Sequence, residues 1–161
     1  MIYRSTRDLD FSLEDVPLCP TPHRVLMTTP DHFEVTYVIN PHMAGRIGDV
    51  NKTRAMAQWA TLRSTYDRLG LDVHTVDGLN GLPDMVFCAN QTLPFIRKND
   101  PSKPGIVLSK MFADQRKQEV TAYAKFFESL GFEMLPLGDA AETSFEGMGD
   151  AIWHPSRYLL W

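Results

Sequence analysis

The sequence predicts an α/β fold built from a repeated strand-strand-helix-strand unit. Two amphipathic helical stretches each close on a Leu-Gly pair, and short β-branched or aromatic runs flank both. The apolar content is also high enough to fill one core: of 161 residues, 43% are apolar and 22% charged, which is ordinary globular composition for this length.

Residues 1–23 are polar and proline-rich (Pro17, Pro20, Pro22) and read as a lead-in segment. Residues 24–161 then carry the α/β domain. Arg24 to Thr28 (RVLMT) is a short apolar run, and Glu34 to Asn40 (EVTYVIN) alternates with β-branched and aromatic residues, so both read as strands. Over residues 49–69, Ala55, Met56, Trp59, Leu62, Tyr66 and Leu69 recur at helical spacing. Asp49 or Asn51 can cap the start of that helix, and Gly70 sits where a left-handed residue ends it. Leu71 to Val76 is strand-like and leads into the turn-rich DGLNGLPD.

The plan then repeats. Met85 to Ala89 and Leu93 to Ile96 read as strands, KNDPSKPG as a loop, and Gly105 to Ser109 as a further strand. Between Asp114 and Leu130 the positions Val120, Tyr123, Phe127 and Leu130 mark one helical face; Gly131 ends it, and Phe132 to Leu135 follows as a strand. Leu69-Gly70 and Leu130-Gly131 lie 61 residues apart in matching contexts, which suggests an internal repeat. Thr143 to Glu146, Asp150 to His154 and Arg157 to Trp161 read as strands opening a third unit, so the chain is expected to stop partway through it.

Formal net charge is −4, which gives no general attraction to nucleic acid or to an anionic membrane and favours a small-molecule ligand. The N-terminus lacks an apolar signal region, and no run approaches a membrane span. Cys19 and Cys88 have no CxxC spacing, and the cytoplasm is the expected compartment. The five histidines show no metal-ligand spacing. GMGD at Gly147 to Asp150 lacks the third glycine of a dinucleotide loop and is followed by a strand-like segment, while the P-loop, GxSxG and HExxH patterns are absent.

Two segments carry more polar chemistry than turns require. Asp84, Asn90 and Gln91 bracket an apolar run in LPDMVFCANQTLP, and in SFEGMGD two acids flank a glycine pair that admits close approach. Read as structure alone, both are turns with solvated acids. Taken in order with DHFEVTYVINPHM, however, PDMVFCANQTLPF and FEGMGD resemble the guanidine-modifying (amidinotransferase-like, pentein) superfamily. The resemblance runs from about Arg24 onward and is strongest to dimethylarginine dimethylaminohydrolases and to arginine dihydrolase or deiminase members.

The resemblance implies a five-bladed α/β propeller of strand-strand-helix-strand blades, about two and a half of them present. A cysteine thiolate would attack the guanidinium carbon of arginine or a methylated arginine in the central channel, without metal or organic cofactor. Carried over by motif, Glu146 orients the catalytic histidine and holds the guanidinium. Asn90 stands where many relatives have an aspartate gripping that group. Asp84 matches an aspartate for the α-ammonium, Arg116 an arginine for the α-carboxylate, Phe87 a channel wall, and Asn40 a further lining residue. A planar cation calls for carboxylates placed to accept its fork of N–H donors. As bland alternatives, Arg116 is a solvated helix residue and Phe87 a core residue.

The chain departs from the family pattern in lacking a His-x-Asp motif, and Cys19 and Cys88 stand in the wrong places. The resemblance therefore puts the catalytic histidine and cysteine beyond Trp161, and the chain alone is expected to be inactive. An open propeller edge implies self-association, as a homo-oligomer or through that edge, unless more chain completes it. An amidinotransferase of the same superfamily is the alternative enzyme. From a different class, the alternative is a non-catalytic fold that binds an arginine-like ligand or a partner.

Overall fold

Each predicted Leu-Gly exit is the end of a helix that returns the chain to a parallel strand. The structure is a computed structural model that describes residues 2–138 and 143–161. β1 (Arg24–Thr28) pairs in parallel with β2 (Asp72–Val76), in the register Arg24 to Asp72 and Thr28 to Val76. The connection between them runs through α1 (Lys52–Arg68), as parallel pairing requires. Asn51 caps α1, its side chain accepting the Arg54 backbone N–H at 2.9 Å. Gly70 stops it at φ +74.

The second sheet has the order β3 (Thr92–Arg97), β4 (Asp100–Leu108), β5 (Glu133–Pro136). β3 and β4 are antiparallel; β4 and β5 are parallel and joined through α2 (Lys117–Ser129), which follows a 3-10 turn over Asp114–Arg116. Met85, Ile106, Tyr123 and Phe127 form the buried centre, with Leu26 and Val76 of the first sheet packed against it. One core therefore joins the two units, and it sits beneath the Pro83–Val86 turn that carries Asp84.

Several expected elements take other forms. Glu34 to Asn40 is irregular coil rather than a strand. Its polar backbone is met locally: Gly48 N–H donates to Val35 O, and Asn40 caps a 3-10 turn over Pro41–Met43. Met85 to Ala89 is not a strand either, because Pro83 opens a 3-10 turn over Pro83–Val86; Met85 is buried in the core while Phe87 and Ala89 are exposed. KNDPSKPG, expected as a loop, is mostly strand. The turn is confined to Lys98 and Asn99, and β4 starts at Asp100. Pro101 and Pro104 are tolerated because β5 pairs only with Gly105 to Leu108, so the first part of β4 has one free side.

The first unit consequently has one strand fewer than the second. The three C-terminal strands are also absent as ladders. Lys110 bridges Phe145, and Trp153 bridges Leu160, with Ile152 and Trp161 exchanging both backbone hydrogen bonds. The lead-in is tied to these residues through a Leu18 to Arg157 bridge and the Arg157 guanidinium on Val16 O.

Candidate functional site

A cavity of about 720 Å³ opens between residues 33–58 and the segment carrying Asp84 to Asn90. Asn40, Asp84, Phe87, Asn90 and Arg116 all line it, so five of the six residues singled out from motifs converge on one space. Asp84 is fixed by the Pro83–Val86 turn and is 3% exposed, and Arg116, at the end of the turn entering α2, is 5% exposed. Phe87 stands half-open at the wall, its ring edge-on to Phe33 at 5.8 Å.

Arg116 is held on several sides. Its Nε donates to Glu119 Oε2 at 3.1 Å and Nη2 lies 3.0 Å from the same oxygen as an ion pair. Nη1 donates to Asn90 Oδ1 at 3.3 Å, and Nη2 donates to the Asp84 carbonyl at 3.3 Å. The Asp84 carboxylate lies 3.9 Å from Nε and accepts the Tyr37 hydroxyl at 2.6 Å. Gln91 Nε2 also donates to Glu119 Oε2, at 2.6 Å. Burial pushes the Glu119 carboxyl above its ordinary range, although Gln91 and Arg116 pull it back. Arg116 is thus not a solvated helix residue: its guanidinium is a buried cation shared among two acids and an amide, presented at the cavity wall.

Glu146 does not line this cavity. It precedes the 3-10 turn over Gly147–Gly149; its Oε1 accepts the Phe112 N–H at 3.1 Å and its own N–H donates to Asp150 Oδ2 at 2.7 Å. The turn nevertheless touches the site. Met148 N–H donates to Ala89 O, and a Cβ on Gly149 would lie 2.6 Å from Asn90 Nδ2. Cys88 is not embedded in a strand; its thiol donates to Leu26 O at 3.2 Å, and burial raises its pKa, the opposite of what a nucleophile needs.

Motif reasoning gave no role to three contributors, Tyr37, Gln91 and Glu119. Glu119 follows Arg116 by three residues, which is the spacing of a helical ion pair and a readable signal. Gln91 stood beside Asn90 in the polar bracket around the apolar run. Tyr37 offered none, because its segment read as a strand. Among the described residues no cluster of three His, Cys, Asp or Glu could hold a metal ion, and no helix is long and apolar enough to cross a membrane.

An acid, a guanidinium and an amide around an aromatic-walled cavity suit a zwitterionic amino acid. No protein-family model matches the chain. Individual proteins do. It is 37% identical over 138 residues to the bifunctional arginine dihydrolase/ornithine cyclodeaminase ArgZ of Synechocystis sp., covering 86% of this chain and 18% of ArgZ. It is 34% identical over 140 residues to the N(G),N(G)-dimethylarginine dimethylaminohydrolase of Mycobacterium tuberculosis, covering 87% of this chain and 42% of that enzyme. The chain is homologous to these guanidine-modifying enzymes.

The fold agrees. A variant of AgrE, a bifunctional arginine dihydrolase/ornithine cyclodeaminase of Nostoc sp., in complex with L-arginine superposes with a TM-score of 0.76 at 33% identity, over 88% of this chain and 20% of AgrE. The product-bound N-terminal domain of ArgZ gives 0.72 at 36%, over 82% of this chain and 45% of that domain. The chain thus spans less than half the length of these relatives, and the resemblance in its motifs is borne out by sequence and by structure.

Proposed function

We propose that this chain forms the substrate-recognising part of a hydrolase that acts on the guanidinium of arginine or a methylated arginine. The observation that carries the reading is the convergence of Asp84, Asn90 and Arg116 on one cavity. Support comes from relatives whose activities are arginine dihydrolysis and dimethylarginine hydrolysis, and from the AgrE variant complex with L-arginine. In this reading the mixed α/β units are blades of a pentein propeller, of which the chain supplies about two and a half.

The Asp84 carboxylate takes the α-ammonium of the substrate and Arg116 takes its α-carboxylate, which fixes the amino acid end and aims the guanidinium down the cavity. Asn90 meets the guanidinium inside the cavity, Glu146 orients the histidine from outside the cavity lining, and Phe87 and Asn40 bound the channel. A cysteine thiolate adds to the guanidinium carbon and the amine or ammonia leaves with a proton from the histidine; water then adds to the thiouronium carbon and the thiolate departs. Cysteine and histidine come from the rest of the complete protein.

The test is release of citrulline or ornithine from L-arginine, or citrulline from dimethylarginine, by the complete protein, with Glu146→Gln as control. Loss of release in the variant is expected. Turnover unchanged in that variant removes Glu146 from the chemistry, and no release from either substrate by the unaltered protein overturns the reading.

A further inference from the structure

We propose that Tyr37 is a positioning residue that makes Asp84 selective for ligands carrying an α-ammonium, an inference that rests on the substrate reading above. Its hydroxyl donates to Asp84 Oδ2 at 2.6 Å, and Arg116 Nε approaches the same oxygen at 3.9 Å. One hydrogen bond and one nearby cation, both at Oδ2, hold the carboxylate from one side. Among the described residues Oδ1 takes no hydrogen bond, and it remains as the acceptor for a cationic group in the cavity that Asp84 lines.

Tyr37 reaches Asp84 from coil, not from the sheets that anchor the opposite wall. Phe33, four residues earlier, packs its ring against Phe87. These two contacts pin the coil to the polar wall, one at the acid and one at the aromatic, so the carboxylate is set from a segment with no strand pairing of its own. Burial and the neighbouring Asp84 raise the Tyr37 pKa, so the hydroxyl remains a donor throughout the neutral range. A neutral donor adds no positive charge beside Asp84, which already shares Arg116 with Glu119, whereas a second cation in its place would further weaken the attraction for an ammonium.

Tyr37→Phe removes one oxygen and keeps the ring, so packing is preserved. In the complete protein the variant should raise KM for L-arginine about tenfold, the scale of a hydrogen bond to a charged group, and more than it lowers kcat. Desamino-arginine keeps the guanidinium and carboxylate but has no α-ammonium; its inhibition constant should stay within about twofold. Equal losses for both ligands, or no loss for L-arginine, overturn the inference. Asp84→Asn separates the two levels: if it too leaves the KM for L-arginine unchanged, the assignment of Asp84 fails and the role of Tyr37 falls with it. If Asp84→Asn raises that KM and Tyr37→Phe does not, only the inference on Tyr37 fails.

Discussion

Arg116 fixes which way Asn90 faces: Nη1 donates to the amide oxygen at 3.3 Å, so the amide nitrogen turns to Gly149. The side chain proposed to meet the guanidinium is therefore oriented by a cation on one side and by a missing Cβ on the other.

Gly149→Ala tests that arrangement. The new Cβ would fall 2.6 Å from Asn90 Nδ2, the end of a movable side chain, so the amide shifts while the fold gives little. Turnover of L-arginine by the complete protein should fall about tenfold or more, since small misplacements at a reacting centre are costly. The unfolding midpoint should move only slightly. A loss of stability as large as the loss of activity would contradict the proposed cause.

Gly147→Ala should behave in the opposite sense. Its φ is +56, and a Cβ would meet the backbone oxygens of Thr92 at 2.5 Å and Ala89 at 2.8 Å. Neither atom belongs to a flexible side chain, so the cost goes to the fold, on the order of 1–3 kcal/mol. Urea unfolding of the variant measures it directly.

Arg116→Leu leaves Asp84 and Glu119, at 3% and 0% exposure, without their shared cation. Removing one partner from a buried ionic group costs about 3–5 kcal/mol. Arg116→Lys should restore only a minor part, because one ammonium cannot reproduce donors aimed at Glu119, Asn90 and the Asp84 carbonyl together. Denaturant titration of the pair of variants reads both values.

Glu119 predicts a pH dependence of definite sign. Burial raises its carboxyl above the ordinary 4.5, so over the interval from that value to the folded one the native state keeps a proton that the unfolded chain has released. The stability contributed by this group is full below about pH 4.5 and is lost as pH rises through the folded value. The difference in unfolding free energy between the unaltered protein and Glu119→Gln should therefore shrink as pH is raised from 4.5. A flat difference would mean that burial does not dominate at Glu119.

Much of the fold was legible because the two helices carry their own punctuation. Asn51 and Gly70 bracket α1 and Gly131 ends α2, and β1, β2 and β5 are short runs beside them. Glu34 to Asn40 misled because side chains that alternate between a cavity and solvent have the same period as those on a sheet. Met85 to Ala89 misled because a short apolar run does not declare its conformation: Met85 enters the core and Phe87 turns to the cavity. Motif order found the residues that project into the cavity. Tyr37 escaped because its role depends on an approach between coil and turn that no local pattern encodes.

α1 and its cap Asn51 contribute Asn51, Arg54, Ala55 and Gln58 to the cavity, yet no residue of the helix is buried. The opposite wall rests on Asp84 and Arg116, rooted above the shared core. One wall is stiff and the other soft, with local opening free energies set by how much each buries. Amide exchange should be fast along α1 and slow along α2, and L-arginine should protect α1 disproportionately as binding orders it. That ordering entropy becomes part of the measured affinity. Substitutions on the solvent face of α1 that touch no ligand then tune binding strength by stiffening or loosening the soft wall.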